Sequence, residues 1–578
     1  MSSDPKLQLG FQGFARNFLD PATPMTVIGE GSVGGKAQGL LSIRKALYEG
    51  IRSSEFPDIT VDIPALVVLR TGVFRNFIDS NHLEEVIATE TSIEKISRAF
   101  EQAEMPFEVL GDLRALIENV HSPLAIRSSS LLEDTANEPF AGIYETKMIP
   151  NNKYDLDARF RQLIDAIKFV YASTYTEKAR QYRQLTGHTD DDEAMAVIIQ
   201  ETVGKRCANR FYPELSGVMR SYNYYAMKPA VPTDGVISLA LGLGKTIVDG
   251  GVSWSYSPAY PMVEPPFVSV DKLLEATQTK FWAVNMGEVI TYEPFKETEY
   301  MMQESIAEAD EDGSLYHLVS TYDPASERLM PGVGMKGARA LTFAPLLVLK
   351  TLPFNDLATR VLKICEASTG VAVEAEFAMT FNPNRFCLLQ VRPMTVPSAE
   401  VHLTNDDLVS KDVLAAAEII MGNGSVNNIR DIVFVKSESF DIMATDKVVP
   451  ELVQMNRKLL NQGKPYLLIV YGRLGTTDPW TGISINWEQV AGAKVIVEAT
   501  RDDVKVELSQ GSHYFLNLIN LGVMYFTLPA GGPHKVDWDW LSRQPVKEET
   551  TFLKHVELAK PLQILVDGLS GKGVIKKP

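Results

Sequence analysis

The chain has 578 residues, 45% hydrophobic and 22% charged, a globular balance with room for about three or four domains. Its net charge of −17 excludes a general nucleic-acid or anionic-membrane surface, which needs a basic footprint, but leaves room for a local phosphate pocket. Cys207, Cys365 and Cys387 lie far apart without CxxC spacing, which points to a reducing compartment and away from structural zinc. The N-terminal MSSDPKLQLGFQGFARNF lacks the apolar core of a signal peptide, and no run approaches the roughly 18 apolar residues of a membrane span. The expected setting is the cytoplasm.

Residues 26–49, TVIGEGSVGGKAQGLLSIRKALYE, predict a short strand, a glycine turn and an amphipathic helix. The glycines leave N–H groups open at the helix start, where anions bind. Lys36 sits just inside that start, against the helix dipole, so its ammonium is expected to have another task. Phosphate binding is one candidate and a solvated lysine the other. Residues 63–79 predict a strand, a turn at Thr71–Gly72 and a helix, and 90–120 is helical. In PLAIRSSSLLEDTANEPFAGIYET, Arg127 is expected to end an apolar strand. The three serines after it suggest either an anion-binding loop or a turn capping the next helix through Ser130 or Asp134.

A long helix is expected over 155–187, a solvated loop at GHTDDDEA, and a buried strand carrying Gln200 at 194–203. Residues 216–222 and 235–244 predict further strands. Gly244-Lys245-Thr246 imitates the end of a P-loop, but Leu239 stands where that motif needs glycine, so a P-loop is rejected. ESIAEADEDG (304–313) reads as an acidic loop without EF-hand spacing.

The stretch VAVEAEFAMTFNPNRFCLLQVRP, Val371 to Pro393, reads as a β-hairpin turning at Asn382-Pro383-Asn384. Its alternation puts Glu374 and Glu376 on one face, and the return strand presents Gln390 and Arg392. Two neighbouring carboxylates repel, and Mg²⁺ carrying nucleotide phosphates would offset that, with Arg392 as a phosphate fork. A solvated acidic face is the plainer alternative.

The ordered set GGKAQGL, IPALVVLRTGVFRNF, AIRSSSLLEDTANEPFAGIYET, SGVM, ALGLGKTIVDGGV and EAEF…LLQVRP resembles the ATP-binding part of phosphoenolpyruvate synthase, pyruvate phosphate dikinase and rifampin phosphotransferase. The resemblance covers roughly residues 20–396. It implies an α/β (α+β) chain built on an ATP-grasp fold with lobes at 1–190 and 191–400; beyond it, the residues themselves read as a connector at 401–430 and a separate C-terminal α/β domain at 431–578. It further implies that Lys36 and Arg127 bind nucleotide phosphates, that Gly142 and Thr146 line them, and that Gln200 lies at the adenine edge. Glu374 and Glu376 would bind Mg²⁺, with Gln390 and Arg392 on the closing strand; Lys36, Arg127 and Arg392 would be catalytic. ATP and Mg²⁺ are then the cofactors, and no nucleic acid or membrane partner is expected.

Three features depart from that family. Glu374 stands where aspartate is common, Lys245 where an acidic residue is common, and no TSHAAI-type phosphohistidine motif or pyruvate-binding barrel is found. The expected activity is phosphotransfer from Mg-ATP to an acceptor supplied in trans. The alternatives are a nucleotide sensor that binds ATP without transfer, or a scaffold. Outside the resemblance, His513 in SQGSHYFLNL and the loop YGRLGTTDPWTGI, with Arg473 and Asp478, are candidate site segments. A capped helix start and a rigid Pro-Trp turn are their structural counterparts.

Overall fold

The computed structural model describes residues 10–578 except 17–23, 53, 90–91, 134–141, 225, 227–228, 264–269, 271–272, 275–276, 290–291, 395, 397–400, 476–481, 501–517, 519–521 and 530. The chain forms two compact units: residues 1–221, 235–247 and 252–394, and residues 222–234, 248–251 and 395–578.

The first unit is a mixed α/β assembly built on several sheets. One six-stranded sheet runs in the order Gln12–Gly13, Met25–Ile28, Leu66–Leu69, Met195–Glu201, Leu124–Ser130, Thr146–Ile149. Its first three strands are parallel and the rest antiparallel. The strand carrying Gln200 completes this sheet, so it does not open a second lobe at residue 191. A second six-stranded sheet centres on the hairpin Val373–Thr380/Arg385–Pro393, flanked by Leu215–Arg220 on one side and Thr60–Asp62 on the other. Helices Gly34–Gly50 and Phe354–Thr369 bury Leu40, Ile43, Leu357 and Val361 in a core shared with the hairpin residues Ala375 and Phe377.

Several boundaries differ from the periodicity reading. The expected helix over 155–187 is two helices, Leu156–Ser173 and Glu177–Leu185, because Thr176 caps the second by accepting the Ala179 N–H. The expected acidic loop 304–313 is a strand, Met301–Ser305, and a helical turn, Ile306–Glu311. Three of its carboxylates form ion pairs, Asp310 with Arg339 and both Glu308 and Asp312 with Arg210.

The second unit carries a seven-stranded sheet whose parallel centre is Asp431–Val435, Tyr466–Tyr471, Ala493–Ala499 and Met524–Leu528. The segments YLLIVYG, AKVIVEAT and GVMYFTL are therefore neighbouring strands. Residues 401–430 are not a connector: Val413–Ala417 and Gly424–Val426 join Gln563–Asp567 and Lys572–Lys576 in a four-stranded sheet. Their short apolar runs pair with strands some 140–160 residues later, which no local pattern announces. Within the seven-stranded sheet Glu498 is fully enclosed, accepting the Leu474 N–H at 2.7 Å and the Tyr525 hydroxyl. Burial raises its pKa from the usual 4.5 to about 7.

Candidate functional site

The candidate site forms where the strand ending in Arg127 meets the Val373–Pro393 hairpin. In its sheet Arg127 lies between Thr146 and Ile198, so Thr146 is its direct neighbour in register. The guanidinium leaves the sheet and crosses to the hairpin. It donates to Gln390 Oε1 at 2.8 Å, the Leu389 carbonyl at 2.9 Å and Gln200 Oε1 at 3.3 Å, and reaches Glu376 Oε2 at 3.5 Å. Three residues implicated by the resemblance, Gln200, Glu376 and Gln390, thus converge on one planar fork, whose donors suit several acceptors at once. Gln390 and Glu376 face each other across the hairpin, in register. Gln200 and Gln390 are almost wholly buried, whereas the Glu376 side chain retains 21% exposure.

Glu374 sits two residues earlier on the same face and has a different surrounding. One oxygen accepts the Arg392 Nε at 2.8 Å and its Nη2, and the other pairs with Arg220 Nη2 at 2.5 Å. All three side chains are at most 6% exposed. The cross-strand registers Glu374–Arg392 and Glu374–Arg220 create this triad. The expected repulsion between the two carboxylates therefore does not call for a cation. Each already faces an arginine, and Glu374 has spent both oxygens. Arg392, expected to be an open phosphate fork, is instead held against Glu374. As a test of fit for Mg²⁺, Glu376 offers a carboxylate oxygen, Oε1, with no partner among the described residues.

Lys36 projects from the first turn of helix Gly34–Gly50. Its ammonium pairs with Glu133 Oε1 at 2.8 Å and donates to Ser128 Oγ at 3.0 Å. Glu133 also accepts the Ser130 N–H and the Ser128 hydroxyl, each at 2.9 Å. The buried carboxylate therefore answers the question raised by a lysine at the positive end of a helix. The three serines do not form an open anion loop. The strand runs on to Ser130, all three side chains are buried, and the Ser129 hydroxyl receives the Ala37 N–H at the helix start. Gly34, at φ +75°, lies so close to Ser129 that a Cβ would fall 1.6 Å from its carbonyl oxygen, so glycine is obligatory there.

Gly142 takes φ +58° and its carbonyl receives the Lys178 ammonium. Lys245 is paired with Glu297 at 2.5 Å, so the departure from the family charge is compensated locally. His513 and Asp478 lie outside the described residues.

Three participants escaped the sequence reading. Arg220 is visible as a basic residue ending SGVMR, but its pairing with Glu374 depends on strand register. Glu133 follows the serines only three residues on, yet reads as an ordinary acidic turn residue. Lys147, next to Thr146, is enclosed by Glu299 at 2.7 Å, the Pro294 and Lys296 carbonyls, and the Phe169 ring. Burial pulls its pKa down, with Glu299 opposing.

Among the described residues no helix is long and apolar enough to cross a membrane. The family model for the pyruvate phosphate dikinase AMP/ATP-binding domain matches residues 30–411, well over half of the chain. A phosphoenolpyruvate synthase of Aeropyrum pernix is 26% identical over 452 residues, covering 73% of this chain and 49% of that protein. A rifampicin phosphotransferase of Streptomyces sviceus is 28% identical over 236 residues, 38% of this chain and 24% of the relative. An uncharacterized phosphotransferase, YvkC, of Bacillus subtilis is 27% identical over 195 residues, 33% and 20% respectively. These matches span about half or less of each relative. The matched region contains both the Arg127 constellation and the Glu374 triad, and the chain belongs to the pyruvate phosphate dikinase AMP/ATP-binding domain family.

Proposed function

We propose that this chain binds Mg-ATP at the Arg127–Gln200–Glu376–Gln390 constellation and transfers a phosphoryl group to an acceptor lying outside these 578 residues. The supporting observation is the convergence on Arg127 of residues 73, 249 and 263 positions away. These acceptors hold the guanidinium in one orientation, and a polyphosphate would compete with them for its donors. Arg127 would turn part of its fork to phosphate oxygens while keeping Gln390 in place, and Lys36 would supply a second cation from the helix start. Thr146, adjacent to Arg127 in register, would add a hydroxyl, and Gly142 a close backbone approach. Mg²⁺ held by Glu376 would neutralise phosphate charge during transfer. In that transfer a P–O bond of ATP breaks with the leaving phosphate oxygen keeping the electron pair, while the acceptor's lone pair forms the new bond to phosphorus. The protein's share is positioning and charge compensation. The chain carries no TSHAAI-type motif, which is why the acceptor is placed outside it.

A nucleotide sensor is the second reading. It draws support from the Glu374–Arg392–Arg220 triad, which sequesters two groups assigned to metal and phosphate. Incubation of the purified chain with phosphate-labelled ATP, Mg²⁺ and cell extract separates the two. Acid-labile label on an acceptor, lost in Arg127→Ala, supports transfer. Saturable ATP binding without labelling supports the sensor. Absence of saturable ATP binding by calorimetry refutes both.

A further inference from the structure

Behind Lys36 runs a chain of buried polar groups that the nucleotide reading does not use. It starts at Glu133, whose Oε1 pairs with Lys36 and whose Oε2 accepts the Ser130 N–H. The Ser130 hydroxyl oxygen accepts the Glu133 N–H at 3.2 Å, and the hydroxyl bonds in turn to Glu193. Glu193 belongs to GHTDDDEA, whose composition reads as a solvated loop, yet it is only 5% exposed. Its Oε1 accepts the Leu131 N–H at 3.0 Å and the Ala194 N–H at 2.9 Å, and its Oε2 accepts the Tyr144 hydroxyl. The Tyr144 oxygen receives Arg183 Nη1 at 3.3 Å, and Arg183 Nη2 ends the chain on Asp190 at 2.5 Å.

Glu193 is the joint of this chain. It touches both stretches to which phosphate contacts are assigned: Leu131 follows the strand Leu124–Ser130 that bears Arg127, and Tyr144 stands between Gly142 and Thr146. Four donors converge on its two oxygens, from Leu131, Ala194, Tyr144 and Ser130. A carboxylate accepts all four, whereas an amide of the same shape has a single acceptor oxygen and brings two donors of its own. Burial pushes the Glu193 pKa above the usual carboxylate value, with the Tyr144 and Ser130 hydroxyls opposing. Filling the same space with an apolar side chain would avoid that desolvation. What the carboxylate adds is a fixed direction for the groups around it.

We propose that Glu193 is a positioning residue for the phosphate end of the site, fixing Lys36 through Ser130 and Glu133, and the start of the Thr146 strand through Tyr144. It rests on the Mg-ATP reading for what Lys36 and Thr146 meet, and on these hydrogen bonds alone for how they are held. Glu193 itself touches no nucleotide. Its orientation is set from the far side, where Arg183 braces the Tyr144 hydroxyl and is itself held by Asp190.

The test uses the full chain with Glu193→Gln, and with Tyr144→Phe, which removes one hydroxyl and should fold normally. Lysines are labelled competitively with acetic anhydride, and mass spectrometry reads Lys36 against Lys245, whose ammonium is held by Glu297 outside this chain of bonds. In either variant Lys36 is expected to label about threefold faster or more relative to Lys245, and in Glu193→Gln ATP affinity by calorimetry should fall about tenfold. The double variant is expected to do little more than Glu193→Gln alone, because both groups act through one set of bonds. An unchanged Lys36-to-Lys245 ratio in both variants overturns the proposal. So does equal acceleration of both lysines, which marks general loosening, or full additivity of the two substitutions. Unchanged ATP affinity in Glu193→Gln, beside a wild-type chain that binds ATP, overturns it as well. A wild-type chain that binds no ATP refutes the nucleotide reading alone, and the labelling ratio then still decides whether Glu193 positions Lys36.

Discussion

Replacing Glu374 by glutamine distinguishes a metal ligand from an anchor for arginines. The substitution preserves shape and removes the charge, leaving Arg220 and Arg392 facing each other in a space where all three side chains are at most 6% exposed. Removing one partner of a buried ion pair costs about 3–5 kcal/mol, because the remaining charge stays desolvated. Glutamine retains one acceptor oxygen for the Arg392 Nε, so the lower end, about 3 kcal/mol, is expected. That is about two decades in the local unfolding equilibrium. Hydrogen exchange over Leu215–Arg220 and Val373–Thr380, the strands the triad joins, measures it where it arises. Calorimetric ATP titrations at several Mg²⁺ concentrations give the second readout. The anchor role requires faster exchange with an unchanged Mg²⁺ half-saturation. Unchanged exchange together with a tenfold greater Mg²⁺ requirement would refute it and make Glu374 a metal ligand.

Other variants probe the neighbouring groups. Glu376→Gln, which removes the carboxylate whose Oε1 has no partner among the described residues, is expected to raise the Mg²⁺ needed for ATP binding by about tenfold or more, measured by the same titration. Arg127→Ala removes a charge-assisted contact worth about 1.5–3 kcal/mol, so ATP affinity should fall by one to two decades; Lys245→Ala should do less, its ammonium being committed to Glu297. Glu498 gives a pH signature in the second unit. With a folded pKa near 7 above an unfolded value near 4.5, its neutral form is fully favourable below pH 4.5, and stability is lost as pH rises through 7. That loss amounts to about 3 kcal/mol, and Glu498→Gln should abolish it in urea titrations at pH 5 and 8; an unchanged pH slope would show that Glu498 does not titrate in this window.

The legible parts of the fold were those with short-range pattern. The alternation at Val373–Thr380 and the turn at Asn382–Asn384 specified the hairpin, and the glycine cluster before Lys36 specified a strand-to-helix joint. What stayed hidden depended on register and distant partners. Ser128, Ser129 and Ser130 have the composition of a phosphate loop, but their hydroxyls are consumed by Lys36, the helix start and Glu133, none of which a local window relates to them. Glu374 and Glu376 look equivalent in sequence. Arg220, contributed by a strand more than 150 residues earlier, helps to bury one, and the other stays partly exposed. The strands within 401–430 were missed for the same reason: their partners lie at the end of the chain.

The reach of Arg127 also bears on how the molecule comes into being. Its contact with Gln390 closes a span of 263 residues, and at about 5–20 residues per second a ribosome needs roughly 13 to 50 s between the two. During that interval the strand Leu124–Ser130 exists without the hairpin to which its arginine is destined. Contacts this non-local enter late, since loop closure precedes the interactions that reward it. Nucleotide binding by nascent or truncated chains should therefore appear only once the return strand has been made, and ATP affinity would then report completion of the whole first unit.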